Sequence, residues 1–164
     1  MKGYDYTQEG AYFVTICTRN RLPLFGKVVH DQVHLNELGE LAAACWEQIP
    51  QHHAHVELDA AIIMPNHVHG ILVFVDRPNS GHDGDMSPQE SFGKPVPGSL
   101  SSVIRSYKAA VTCGIMNAFP DAEIPIWQGR FHDHIIRTPK SLDIIRAYVL
   151  NNPARWTEDT FYSG

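Results

Sequence analysis

The chain lacks any apolar run approaching the roughly 18 residues that a membrane-spanning helix needs. Met1 to Gly10 is polar, without the apolar centre of a secretion signal. The expectation is a soluble cytoplasmic protein with no membrane partner. Cysteine is scarce too: Cys17, Cys45 and Cys113 lie far apart, each among apolar neighbours. An odd, scattered set argues against a disulfide framework and a CxxC zinc site, and reads as buried free thiols. Positive charge is in short supply, with 13 Lys and Arg against 18 Asp and Glu. A net charge of −5 does not describe a broadly basic nucleic-acid binder. The balance is uneven, however: residues 1–90 carry 5 basic against 12 acidic side chains, and residues 91–164 carry 8 against 6. A surface that takes an anionic polymer would be local and biased to the second half. No internal repeat is present. What remains is 164 residues, 43% hydrophobic and 19% charged, which suits one domain with a real core.

Ala11–Thr18, rich in aromatic and β-branched residues, reads as a buried strand. Leu24–Val29 and Gln32–Leu35 form a short hairpin across His30-Asp31. Asn36 offers an N-cap, and Leu38, Leu41, Ala42, Cys45 and Ile49 recur at helical spacing, so Glu37–Gln48 is a helix that stops before Pro50. His55–Met64 and His67–Val75 are strands joined by the turn residues Pro65-Asn66. Asp76–Gly98 is rich in proline and glycine and reads as a long flexible loop within a single domain of residues 1–164. Ser99–Phe119 is a helix with Val103, Ile104, Tyr107, Val111 and Ile115 on one side. Ile124–Arg137 is a strand, and a last helix runs from about Ser141, with Pro139 near its start, to a break at Pro153. Without the small hairpin and the last helix the order is β-α-β-β-α-β. That predicts an α+β, ferredoxin-like split βαβ fold: one antiparallel sheet, two helices on one face, and the last helix free to cover the open face.

His67-Val68-His69 is the sharpest chemical feature. Side chains alternate along a strand, so both imidazoles point to one face, about 7 Å apart at Cα, and can converge on one ion. In isolation, two partly exposed histidines on a sheet edge fit as well. Tyr148 and Asn152 are one helical turn apart, where a phenol and an amide carbonyl could serve one site as nucleophile and third metal ligand. Asn152 precedes Pro153 and so falls at the helix terminus. Such a trio suits phosphoryl transfer. Attack by a tyrosine on a DNA phosphodiester gives a phosphotyrosine and a free 3′-OH, and the phenol, with a pKa near ~10, leaves readily in the reverse step. A divalent ion polarises the phosphate, and a mixed N/O donor set suits Mg²⁺ or Mn²⁺. His132 and His134 form a second same-face pair, which leaves a zinc hydrolase built from both pairs as a competing reading. His52, His53 and His55 read as solvated.

Five blocks carry a family resemblance: Gly3-Tyr4-Asp5-Tyr6, Tyr12 to Arg21, Met64-Pro65-Asn66-His67-Val68-His69, Trp127 to His134, and Tyr148-Val149-Leu150-Asn151-Asn152-Pro153. In this order they resemble the REP-associated tyrosine transposases, relatives of the single-strand insertion-sequence transposases with a His-hydrophobic-His motif. The resemblance implies a ferredoxin-like catalytic domain and divalent-metal-dependent cleavage and joining of single-stranded DNA near imperfect, REP-like hairpins. It implies His67 and His69 as the metal pair, Asn152 as third ligand and Tyr148 as the nucleophile. Tyr107, with no Asn-Pro after it, is second choice. DNA contacts are expected from Arg105 and Lys108 on the second long helix, Arg130, Arg137 and Lys140 around the last strand, and Arg19 and Arg21 after the first. Trp127 and Phe131 could stack unpaired bases, though Trp127 fits a core position equally. Monomer and homodimer stay open, as does a module that binds hairpin DNA without cutting it.

Overall fold

The computed structural model describes residues 10–75 and 99–158. The expected loop at 76–98 and the block Gly3–Tyr6 lie outside them. Among the described residues, no helix is long and apolar enough to cross a membrane.

The strands β1 (Gly10–Cys17), β2 (Gly26–Val29), β3 (Gln32–Leu35), β4 (Val56–Met64), β5 (His67–Phe74) and β6 (His132–Ile136) form two sheets. One has four strands in the order β4-β5-β1-β6, and the other pairs β2 with β3. Every adjacent pair is antiparallel. The helices are α1 (Glu37–Glu47), α2 (Ile49–His52), α3 (Leu100–Ala118) and α4 (Pro139–Leu150). The protein is therefore an α+β domain with a four-stranded antiparallel sheet.

Alternation along the strands decides which face is core. Tyr12, Val14 and Ile16 of β1, with Val68 and Leu72 of β5, are buried beside α3 residues Val103, Ile104, Tyr107, Val111 and Ile115 and α1 residues Ala42 and Trp46. The five α3 positions are the ones the helical spacing picks out. On α1 the buried side chains are Ala42, which the helical spacing picks out, and Trp46, which it does not; Leu38, Leu41 and Cys45 pack at the margin. Trp46 fits because position 70 has no side chain: a Cβ there would come within 2.6 Å of Trp46 Cη2 and closer still to Cζ2. Ser99 and Thr138 cap α3 and α4 by accepting from the backbone N–H three residues on. His30 and Asp31 both take positive φ, as a two-residue hairpin turn of right-twisted strands requires.

Several expectations need correction. The strand expected over Ile124–Arg137 is confined to His132–Ile136; Pro125 cannot donate to a ladder, and only a bridge from Thr18 to Trp127 precedes β6. α1 does stop before Pro50, as expected, and Pro50 then falls in the first turn of the short α2, where a missing N–H costs nothing. Cys17 is buried, but Cys45 is half-buried and Cys113 exposed. His55 is buried against Phe74. Trp127 is core, its indole donating to the Lys108 carbonyl at 3.2 Å. Tyr107 is 2% exposed, and its hydroxyl donates to the Ala42 carbonyl at 3.0 Å. Burial pushes its phenol well above the usual range, and the neighbouring Cys45 adds to the shift. This is a structural tyrosine.

Candidate active site

The opposite sheet face carries Phe13 and Thr15 of β1, His67 and His69 of β5, and His132 and His134 of β6, as register requires: Thr15 is opposite both His69 and His132. Helix α4 and the 3-10 segment Pro153–Glu158 cover part of it.

The turn before β5 sets His67. Met64 pairs with His67, leaving Pro65-Asn66 as the two-residue turn. The Asn66 carbonyl accepts from the Thr18 backbone N–H at 3.0 Å and from the Thr18 hydroxyl at 3.0 Å. The Asn66 side chain donates through Nδ2 to the Arg21 carbonyl at 3.3 Å. Its Oδ1 accepts from His67 Nδ1 at 2.7 Å. With the proton held at Nδ1, the lone pair of the neutral ring sits at Nε2. His69 is oriented in the same way, its Nδ1 lying 2.9 Å from the hydroxyl of buried Thr15. Both imidazoles are buried, with ring centroids 4.3 Å apart. Burial pushes His67 down to about 4; protonation would let Nε2 donate to the Asn152 carbonyl, which opposes the shift, and the Arg21 guanidinium adds to it. At neutral pH the ring is uncharged, with its lone pair available.

Tyr148 and Asn152 come to the same place. The Tyr148 ring is 5.5 Å from that of His69 and 6.0 Å from that of Phe13, and it is 42% exposed. The α-helix ends at Leu150, and the chain then turns so that Asn152 is buried and its backbone carbonyl accepts from Arg155. Asn152 Oδ1 is buried with no hydrogen-bond donor. It faces Nε2 of the neutral His67, acceptor toward acceptor. A cation between them would satisfy both, so two imidazoles and an amide oxygen fit a divalent ion. β6 is separated from β5 by β1, so the second histidine pair stands about 10 Å away at two strand spacings.

Four residues that the sequence pattern does not mark also contribute. Trp156 stacks on His67, with centroids 6.1 Å apart and planes at 25°. Asn66 is more than a turn residue, since its side chain bonds both the Arg21 carbonyl and the His67 ring. Asp59 and Arg146 form a two-bond ion pair, Nη2 to Oδ2 at 2.6 Å and Nε to Oδ1 at 2.8 Å, that ties α4 to β4.

The expected DNA-contacting cations divide. Arg21 lies beside His67, near enough to depress its pKa. Arg130, Arg137 and Lys140 are exposed around β6 and the start of α4. Arg105 and Lys108 are on α3, which packs against the other sheet face. There Lys108 turns inward to donate to the Gln128 carbonyl at 2.7 Å, and desolvation lowers its pKa. Arg19 pairs with Glu123 at 3.2 Å. A separate groove of about 530 Å³, between β3, α1, β4 and the end of α4, holds neither histidine nor Tyr148.

No protein-family model matches the chain. An uncharacterised protein of Haemophilus influenzae Rd is 36% identical over 169 residues, 99% of this chain and 90% of that one. Among solved structures, a REP-associated tyrosine transposase bound to a REP hairpin superimposes with a TM-score of 0.59 at 24% identity, covering 94% of this chain and 74% of that one. A candidate transposase of Deinococcus radiodurans R1 superimposes with a TM-score of 0.51 at 18% identity, covering 92% and 96%.

Proposed function

Because the chain belongs to the same family as the Haemophilus influenzae protein and has the fold of the REP-associated tyrosine transposase, we propose that it is a transposase-type enzyme that cuts and rejoins single-stranded DNA through a phosphotyrosine at Tyr148. In this reading the four-stranded sheet with α1 and α3 is a ferredoxin-like catalytic core, and α4 is the appended helix that carries the nucleophile. The substrate is single-stranded DNA beside a REP-like hairpin. One observation carries the reading: the Tyr148 ring sits 5.5 Å from that of His69, on the face where His67 and His69 converge.

The half-exposed phenol meets the phosphate from solvent, and its oxygen attacks phosphorus. The Oη–P bond forms, the P–O3′ bond breaks, the phenol proton leaves to water and the 3′ oxygen takes a proton. No bond is hydrolysed, so the reverse step rejoins DNA. His67, His69 and Asn152 would hold a divalent ion, Mg²⁺ or Mn²⁺, which supplies a Lewis acid for a non-bridging phosphate oxygen. Asn66 holds the His67 ring in the tautomer this needs, and Thr15 holds the direction of the His69 ring. Trp156 covers His67 and excludes water from its ring. Arg21, Arg130, Arg137 and Lys140 are the cations that would meet the DNA backbone.

The test is a labelled single-stranded hairpin oligonucleotide incubated with the protein and Mn²⁺, then resolved on a denaturing gel. A protein-linked band is expected that disappears with EDTA and in Tyr148→Phe. An adduct that persists in Tyr148→Phe overturns the nucleophile assignment. Tight hairpin binding without any adduct overturns the enzymatic reading in favour of a binding module.

A further inference from the structure

Helix α4 has little apolar hold on the sheet. Of its twelve residues Val149 alone is buried, while Ile144, Tyr148 and Leu150 are 60%, 42% and 63% exposed. Leu142 and Ile145 are half-buried, so one buried valine and two partly covered side chains hold the helix only loosely against rotation about its own axis. The ion pair from Arg146 to Asp59 supplies the second point of attachment. It is a fork of two bonds to both carboxylate oxygens, and the third guanidinium nitrogen contacts Asp143 at 3.3 Å. Asp59 is only 18% exposed, and the guanidinium holds its carboxyl below the usual carboxylate range, so the pair is charged on both sides at neutral pH.

Two further features show that this contact is built in. β4 carries an extra residue between Leu58 and Ala61, a bulge, where Asp59 turns to meet α4. The Ala60 N–H closes it by donating to Asp59 Oδ1 at 2.7 Å. Arg146 and Tyr148 are also two positions apart, about 200° around the helix. Arg146 reaches β4 on one flank while Tyr148 meets β5 and β1 on the other. A roll of α4 that loosens one flank moves the other. The phenol oxygen stands roughly 9 Å from the helix axis, so a roll of about 20° carries it about 3 Å. That is ruinous for a nucleophile whose rate depends on placement within about 1 Å.

We propose that Asp59 and Arg146 are positioning residues, a roll lock that seats Tyr148 over His69 without touching substrate. The proposal rests on Tyr148 being the nucleophile, and its test separates the two. In single-turnover adduct formation at saturating hairpin DNA with Mn²⁺, Asp59→Asn and Arg146→Gln should each slow the rate about 10- to 100-fold. Hairpin Kd should stay within about threefold, because neither group meets DNA. The double variant should be no slower than the worse single one, since both remove the same contact. The reversed pair Asp59→Arg with Arg146→Asp should regain part of the loss. Arg146→Lys, with one charged point in place of a fork, should stay slow. Losses that multiply in the double variant, losses confined to Kd, or unchanged rates overturn the lock.

A second readout needs no activity: 3-fluorotyrosine placed at position 148, read by fluorine NMR. Asp59→Asn and Arg146→Gln should move the resonance to one common position, and Lys27→Gln, exposed on β2, should leave it in place. An inactive parent with that pattern sinks the nucleophile and keeps the lock. An active parent whose resonance ignores both substitutions sinks the lock and keeps the nucleophile. Circular dichroism of each variant confirms that the sheet persists.

Discussion

His67 offers a quantitative test of the buried histidine pair. Burial holds the folded ring at about 4, against 6.5 for an unperturbed imidazole. The unfolded chain therefore takes up a proton near pH 6.5 that the folded protein refuses until near pH 4. Between these values the unfolded state binds more protons, so stability is complete above pH 6.5 and falls as the solution is acidified. Two and a half pH units correspond to about 3 kcal/mol, of which about 2 kcal/mol is lost by pH 5. The ring is fully buried, so solvent screening discounts little of this. The assay is urea unfolding in EDTA at pH 7.5, 6 and 5, for the parent and for His67→Gln, which cannot titrate. The glutamine variant starts from a different stability, so the quantity compared is the slope with pH. Its slope should be shallower by about 2 kcal/mol over that range; other histidines contribute equally to both proteins and cancel. Equal slopes in EDTA would refute the claim that His67 is held neutral by burial.

Two other outcomes follow from contacts described above. Asn152→Leu removes a buried acceptor that has no donor, so stability in EDTA should hold or rise, by up to about 1–3 kcal/mol. Calorimetric Mn²⁺ affinity should fall about 10- to 100-fold, and unchanged affinity would remove Asn152 from the ligand set. Gly70→Ala places a Cβ inside the Trp46 ring, which Tyr107 backs at 5.3 Å. Thermal unfolding should show a loss of about 1–3 kcal/mol, and a neutral result would mean α1 can slide on the sheet.

The parts of this site that could be read from sequence are those governed by a short period. Strand alternation put His67 and His69 on one face, and helical spacing put Tyr148 within reach of the same place as Asn152. What could not be read are contacts between residues far apart in the chain. Asp59 and Arg146 are 87 positions apart, and neither stands out within its own element. Trp156 was lost because Pro153 reads as the end of ordered helix, whereas the chain continues as a 3-10 segment that returns to His67. The strand expected from Ile124 is shorter because Pro125 cannot donate to a ladder and Gly129 weakens one. Tyr107 illustrates the reverse error: an aromatic on a helix was weighed as a nucleophile, although its helical companions already marked that stripe as core.

The left-handed pair Asn20 and Arg21, at φ 53° and 55°, has a mechanical meaning. Such angles are uphill for residues with a side chain, so this corner is kept bent by the bonds around it. One of those bonds runs from Asn66 to the Arg21 carbonyl, and Asn66 in turn grips the His67 imidazole. The bend of this corner and the angle of the imidazole are thus tied through a single side chain, two hydrogen bonds from carbonyl to ring.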